Sequence, residues 1–205
     1  MARKTVRADE YEGYLYSTIG TGAPVAGAMG AFTQNAFSYA IGAAGNPAGI
    51  TVAQADERHT NMSVANQLPD GVALVVKEVG FDIVGLVDYR DVKLLLDNLV
   101  ATIRYDARKR TRELGLIKFW PGGMGVSGAV GIDGAAADTR AWIASNGAPF
   151  TGARRRFRLP IPVKGRRNFD LSVQLPAALA GFQGVANIEI LAFFYGVFFN
   201  KISGT

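Results

Sequence analysis

Two alternating apolar segments near the C-terminus constrain the fold of this 205-residue chain more than any other feature. Residues 157–164, FRLPIPVK, carry an apolar side chain at every second position, and residues 168–175, NFDLSVQL, repeat that alternation. A period of two predicts β-strands that each bury one face. Because residues 164–168, KGRRN, supply a glycine and solvated charges, the two strands are predicted to form one β-hairpin.

Prolines and aromatic residues predict where two of the strands lie in their sheets. Pro160 and Pro162 are two residues apart, so their missing N–H groups face the same edge, and a sheet tolerates proline best in an edge strand. Residues 188–202, IEILAFFYGVFFNKI, are largely apolar on both alternating faces. We expect this last strand to be covered on both sides, inside a sandwich or in a subunit contact.

Earlier segments add further strands. Residues 72–86, VALVVKEVGFDIVGL, predict a first long strand with an irregularity at Lys77-Glu78. Residues 99–105 alternate as a strand does, although the leucine spacing from residue 92 also fits a helix. Residues 114–120 predict a short strand that ends at PGG. Six to eight strands with turn-rich connections and no βαβ alternation predict an antiparallel sandwich.

The N-terminal third has a different composition. Residues 13–55 contain no charged residue and are rich in Gly, Ala and small polar residues. Polar residues and glycines interrupt every window long enough to span a membrane. Scattered aromatic residues favour burial against a partner over a free tail in water. Residues 1–71 are therefore predicted to form an extended or partly helical arm, and residues 72–205 a domain with a long Gly/Ala-rich loop at 121–153.

Charge is distributed unevenly along the chain, although the formal net charge is only +5. Residues 1–100 hold seven Lys/Arg and eleven Asp/Glu, net −4, whereas residues 101–205 hold fifteen and six, net +9. Basic residues fall in runs at 104–112, 154–158 and 164–167. Such runs are expected to face nucleic acid, anionic lipid or an acidic neighbouring subunit, or to be solvated loop ends. None has the aromatic interleaving typical of base stacking.

The chain offers few of the side chains that catalysis and metal binding require. It has no cysteine, and His59, predicted to be a solvent-exposed loop residue, is the only histidine. The usual zinc, copper and non-haem iron sites therefore lack ligands. Neither a G-x-S-x-G elbow nor the Gly-Lys-Ser/Thr ending of a phosphate-binding loop occurs. Residues 1–14 also lack the pattern of a signal peptide.

Carboxylates leave two minor alternatives. Asp82 with Asp88 and Asp91, or Asp133 with Asp138, are candidates for a general acid and base. Asp88 and Asp91 are also candidates for a calcium site, although calcium prefers more oxygen ligands than these two residues offer. We expect no enzyme activity, no cofactor and no small-molecule substrate.

The C-terminal third resembles the last strands of jelly-roll capsid proteins from tailless icosahedral viruses, most closely the single jelly-roll subunits of membrane-containing bacteriophages. The resemblance is carried by the order of the proline-bearing strand RFRLPIPVKG, the second strand RRNFDLSVQLP and the aromatic strand IEILAFFYGVFFNKI. It covers residues 72–202 in outline and implies an all-β antiparallel jelly-roll sandwich of about eight strands with an N-terminal arm. The Gly/Ala-rich residues 124–149 depart from a minimal jelly roll.

This resemblance also implies a function. A capsid subunit self-assembles into an icosahedral shell, is assembled in the host cytoplasm and is located in the virion. Its partners are copies of itself, other capsid proteins and, through the basic runs, an internal membrane or packaged nucleic acid. The residues expected to anchor the arm are Tyr14, Tyr16, Phe32, Phe37 and Tyr39. Those expected to form electrostatic contacts are Arg154, Arg155, Arg156, Arg166 and Arg167.

Other classes of protein use related β-sandwiches. A carbohydrate-binding jelly roll, such as a receptor-binding or lectin-like module, would use Trp120 and Trp142 as sugar platforms. An enzyme would depend on Asp82, Asp88 or Asp133. A free nucleic-acid-binding protein would bind through the run at 154–158, with an affinity that falls steeply with salt.

Overall fold

The computed structural model describes residues 8–84, 86–122, 127–129, 142–144 and 155–201. Eight strands form two four-stranded antiparallel sheets. The strands are β1 (Ala8–Gly20), β2 (Phe32–Ala36), β3 (Val72–Val84), β4 (Val100–Tyr105), β5 (Arg110–Leu116), β6 (Arg156–Val163), β7 (Asp170–Leu175) and β8 (Glu189–Lys201).

The order of the strands within the sheets defines the topology. One sheet has the order β1-β8-β3-β6 and the other has the order β2-β7-β4-β5. Strands that follow one another along the chain thus mostly lie in opposite sheets, which is the arrangement of a jelly roll. The predicted all-β jelly-roll sandwich is confirmed. Short strands at Ala28–Met29 and Leu179–Ala180 pair with each other outside the two sheets.

The C-terminal strand β8 lies at the centre of its sheet, between β1 and β3. Its register with β1 runs unbroken from Ala8 opposite Lys201 to Gly20 opposite Glu189. Its inward side chains are buried, whereas most of its outward side chains are half-buried. The predicted covering is therefore complete on the inner face and partial on the outer face. Leucine and aromatic side chains on both faces suit a strand in this central position.

A β-bulge between β3 and β8 lies at the irregularity predicted from the sequence. The register shifts between Tyr195 and Gly196, so Lys77 has no residue of β8 opposite it. A β-carbon on Gly196 would lie 2.0 Å from the carbonyl oxygen of Val75. Such a close approach of two backbones requires glycine.

Strands β6 and β7 do not form the hairpin that the sequence predicted. β6 pairs with β3 in one sheet, and β7 pairs with β2 and β4 in the other. Residues 164–169 therefore cross from one sheet to the other. The prediction was wrong because alternation identifies the buried face of each strand and leaves its neighbour unspecified. The edge position predicted for β6 from its two prolines is correct.

The predicted boundary between an arm and a domain at residue 72 is also wrong for the described residues. β1 is an edge strand of the first sheet, β2 is an edge strand of the second, and neither is helical. Residues 59–61 bond to the free edge of β1, where the N–H of Thr18 donates to the carbonyl of His59 at 2.7 Å. Phe37 and Tyr39 of this segment are covered by the same chain, whereas Tyr11 and Tyr14 remain exposed.

Three phenylalanine rings lie at the centre of the core between the sheets. Phe37 is fully buried, and its ring centroid lies 4.8 Å from that of Phe194 and 5.5 Å from that of Phe169. Phe37 follows β2, Phe169 precedes β7 and Phe194 belongs to β8. The core is therefore built from both sheets and from both ends of the chain.

Helix α1 (Tyr89–Asn98) joins the two sheets before β4 begins. The helix suggested by the leucine spacing and the strand suggested by alternation are both present, one after the other. Asp88 caps the helix and accepts a hydrogen bond from the N–H of Arg90 at 2.8 Å. None of the described helices is long and apolar enough to cross a membrane.

Buried Asp91 fixes the segment that leads into β8. Its two carboxylate oxygens accept hydrogen bonds from the backbone N–H groups of Gln183 and Gly184, both at 2.8 Å. The residue is 0 % exposed. A buried carboxylate is stable when its oxygens have donors, so Asp91 connects α1 to residues 183–184.

The segment predicted as a long loop at 121–153 is described only at residues 121–122, 127–129 and 142–144. Strands Ser127–Ala129 and Trp142–Ala144 pair with each other, and Trp142–Ala144 also pairs with Leu86–Asp88. The segment therefore contributes a small third sheet, which its Gly/Ala-rich composition did not indicate.

Candidate functional site

The order of the strands gives the sandwich two opposite lateral sides. β1 and β2 are edge strands that contact each other, and together with residues 37–66 they form what we call the β1 side. β5 and β6 are the edge strands at the other end of each sheet, and they form the β6 side with their flanking turns. The Arg112 Nη1 of β5 donates to the Leu159 carbonyl of β6 at 2.9 Å, which joins these two edges.

The two sides carry opposite charge. Residues 8–66, which form the β1 side, contain five acidic residues and one basic residue, net −4. Residues 104–116 and 155–170, which form the β6 side, contain eleven basic and three acidic residues, net +8, and two of these arginines pair with Glu78 and Asp70 from outside the two ranges. The charge asymmetry seen along the sequence thus becomes an asymmetry between two surfaces. Surfaces of this kind attract each other over the distance of a Debye length.

The five aromatic residues predicted to anchor an arm occupy different environments. Phe37 and Tyr39 are buried in the same chain, at 0 % and 4 % exposure, so their predicted contacts with a neighbouring subunit are wrong. The hydroxyl of Tyr39 donates to the Thr18 carbonyl at 2.6 Å. Phe32 and Tyr16 are half-buried. Tyr14 is 41 % exposed and is the one residue of the five that is open to a partner.

The predicted electrostatic residues are brought to one side but are partly paired within the chain. Arg156 Nε lies 2.6 Å from the buried Glu78 carboxylate, and Arg166 lies 2.9 Å from Asp70. The Arg155 guanidinium lies over the ring of Trp120, 4.9 Å from its centroid. Arg167 is exposed. Arg154 lies outside the described residues.

Asp170 is a buried carboxylate that the sequence did not single out. The Nε atoms of Arg104 and Arg108 lie 3.2 and 3.0 Å from its two oxygens. Within the described part of the chain, neither oxygen has a hydrogen-bond partner of good geometry. Burial raises the pKa of the Asp170 carboxyl, and the two guanidinium groups offset only part of that rise.

We expect the Asp170→Asn substitution to reveal this raised pKa in the pH dependence of stability. Because the pKa in the folded state exceeds the unfolded value of about 3.9, folding favours the protonated acid. That contribution is complete below the unfolded pKa and is lost as the pH rises through the folded pKa. The free energy of unfolding of the wild type, relative to Asp170→Asn, should therefore fall with rising pH in urea titrations. A rise would show instead that Arg104 and Arg108 dominate.

A cavity of about 290 Å³, lined by both apolar and polar side chains, opens on the β1 side, beside the start of β1. Tyr11 and Tyr14 border it, and Leu15, Met62 and Phe198 form part of its wall. The Tyr11 side chain is 48 % exposed, and its ring stacks on that of Phe198 with centroids 5.1 Å apart. An exposed aromatic side chain beside a cavity is typical of a binding surface. Sequence reasoning missed Tyr11, because glycine and serine interrupt the apolar face of β1.

An exposed leucine marks the β6 side. Leu159 is 72 % exposed, although the alternation of its strand predicted it to be buried. The register of β6 against β3 shifts between Arg156 and Ile161, so this part of the strand is irregular. The shift turns Leu159 outward, between the exposed residues Arg158 and Pro160.

Asp88 and Asp91, two of the residues proposed for catalysis or metal binding, have structural partners. Asp91 binds two backbone N–H groups, and Asp88 pairs with Arg90 at 3.2 Å. Among the described residues, no group of three or more His, Cys, Asp or Glu side chains is placed to hold a metal ion. Asp133 and Asp138 lie outside the described residues. The candidate acid–base pairs therefore gain no support from the described geometry.

His59 and Trp120 are less exposed than the sequence suggested. The His59 side chain is 13 % exposed, and its Nδ1 lies 2.7 Å from an Asp56 oxygen. Trp120 is 7 % exposed, and its indole N–H donates to the Leu114 carbonyl at 2.9 Å. Its predicted use as an open sugar platform is therefore wrong. Of Trp142, only the backbone is described.

Comparisons of the chain with protein-family models, with curated proteins and with solved structures gave no match.

Proposed function

We propose that this chain is a viral structural protein, a capsid subunit that self-assembles into an icosahedral shell. The observation that carries the proposal is the opposite charge of the two lateral sides, net −4 on the β1 side and net +8 on the β6 side. A sandwich whose opposite sides attract each other is suited to packing beside copies of itself. In this role the protein is located in the virion, with copies of itself and other capsid proteins as partners.

Jelly rolls occur in capsids, in lectins and in cupins, so the fold alone does not choose among them. The lectin-like alternative loses support because Trp120 is buried under Arg155. Binding of nucleic acid or lipid through the basic runs is less favoured than binding of protein. Arg156 and Arg166 are already paired with carboxylates, as are Arg104 and Arg108 around Asp170.

Light scattering of the purified chain over a range of concentration and salt tests this function. We expect the measured mass to rise above the 21.8 kDa of one chain as concentration increases. High salt should lower the mass, because the Debye length shrinks from about 8 Å at 0.15 M to about 3 Å at 1 M ionic strength. Electron microscopy of the large species should show closed particles. A mass of one chain under every condition would contradict the proposal.

A further inference from the structure

The β6 side presents an apolar side chain surrounded by positive charge. Leu159 is 72 % exposed and lies next to exposed Arg158. Arg110 belongs to the neighbouring edge strand β5, and 66 % of its side chain is exposed. Arg158 forms no ion pair with any described residue. An exposed leucine beside an exposed arginine is an unfavourable surface for a monomer and a suitable anchor for an interface.

The β1 side presents the complementary features. The cavity of about 290 Å³ beside Tyr11 and Tyr14 is large enough for a leucine side chain. Glu10 and Glu12 flank Tyr11 along β1. Glu12 is engaged by Lys77 at 2.8 Å and by the Tyr195 hydroxyl at 2.6 Å, whereas Glu10 is exposed. The cavity thus has a partly apolar wall, and β1 carries an exposed carboxylate at the residue next to Tyr11.

We propose that copies of this chain associate head to tail, with Leu159 of one copy in the Tyr11 and Tyr14 cavity of the next and Arg158 beside Glu10. This contact rests on the proposed function. It specifies which two surfaces of neighbouring copies meet and which side chain anchors them. The anchor and the cavity lie on opposite lateral sides, so one copy uses both sides at once. A contact between two different surfaces is heterologous, and it generates rings or open chains in place of isolated dimers.

The proline content of β6 supports contact through side chains. Pro160 and Pro162 remove two N–H donors from this edge strand. Residues 59–61 occupy the free edge of β1 at residues 16–18. Both edges are therefore interrupted as templates for pairing with a strand of another copy. The side chains of Leu159 and its neighbours are then the means of association.

Two variants test the contact, and each alters one surface only. The anchor variant carries Leu159→Asp and Arg158→Glu. The cavity variant carries Glu10→Gln and Ser63→Trp, where exposed Ser63 lines the cavity and a tryptophan would fill it. The matched control is Val185→Asp, which also changes an exposed apolar residue to an acid. Val185 is 78 % exposed and lies in the segment before β8.

Light scattering should find each variant at the mass of one chain under conditions in which the wild type and Val185→Asp assemble. An equimolar mixture of the two variants retains one intact anchor and one intact cavity. We expect that mixture to form heterodimers of two chains and to stop there, because the remaining surfaces are altered. Formation of the heterodimer also shows that both variants are folded.

Other outcomes separate this contact from the proposed function. Assembly of either variant to the wild-type mass would overturn the contact and leave the capsid function standing. A mixture that recovers the large wild-type species, or one that remains monomeric, would also overturn it, because a heterologous contact allows only the heterodimer. A wild-type chain that never assembles would contradict both proposals.

Discussion

Replacing Phe37 by alanine is expected to lower the free energy of unfolding by about 3–5 kcal/mol, the usual cost of truncating a fully buried phenylalanine. Its ring contacts those of Phe194 and Phe169 between the two sheets, and no solvent reaches it. A loss of that size is a large part of the stability of a typical domain, about 5–15 kcal/mol. Urea unfolding followed by circular dichroism measures it.

Tyr14→Ala is the matched control, since Tyr14 belongs to the same set of predicted anchors and is 41 % exposed. We expect its effect on unfolding to be about 1 kcal/mol or less, because much of its ring remains in solvent. If Phe37→Ala left unfolding unchanged and reduced assembly instead, the residue would be an intersubunit anchor.

Removing residues 1–55 is likewise expected to unfold the protein, because it deletes β1 and β2 from the two sheets.

Replacing Asp91 by asparagine is expected to destabilise the protein by about 1.5–3 kcal/mol, the range for a hydrogen bond to a charged group. The carboxylate accepts from the N–H groups of Gln183 and Gly184, and an amide places an NH₂ against one of them. The residue is fully buried, so water cannot replace the lost acceptor. We expect a lower unfolding midpoint in urea and faster chymotryptic cleavage after Phe182, which is otherwise buried.

Asp97→Asn provides the comparison on the same helix. Asp97 is half-buried, with 36 % of its side chain exposed, and forms ion pairs with Lys93 and with Lys118, the latter at 3.0 Å. Surface ion pairs contribute little, so we expect its unfolding midpoint to stay close to that of the wild type. Equal effects at the two positions would indicate that the contacts of Asp91 with residues 183–184 do not stabilise the fold.

Much of the jelly roll could be predicted from local alternation, because burial of one face imposes a period of two on each strand. β3, β4, β6, β7 and β8 were all indicated in that way. β1 was missed because Gly13 and Ser17 lie on its inner face while Tyr14 and Tyr16 lie on its outer face. Its two faces therefore differ little in hydrophobicity, and the alternation that marks the other strands is weak.

Which strands pair with each other, and where each strand lies in the sandwich, was harder to predict than which segments form strands. β6 and β7 both bury alternate residues in one core, and the sequence does not state whether they share a sheet or face each other. The six residues 164–169 are long enough to cross between sheets about 10 Å apart. The sequence shows that acidic residues dominate the first half of the chain and basic residues the second half. That these charges lie on two different lateral sides follows only from the strand order. Leu159 became exposed through a register shift that single-sequence patterns do not show.

The central position of β8 determines when this protein can fold during its synthesis. β1 and β3 both pair with β8, which is the last of the eight sandwich strands to be translated. Until residues 189–201 have been translated, the nascent chain holds two 13-residue strands that lack their common partner. Pairing between distant parts of a chain is slow, and unpaired strands favour aggregation. The sheet therefore cannot form before β8 has been translated, and a truncated product that lacks this strand cannot complete it.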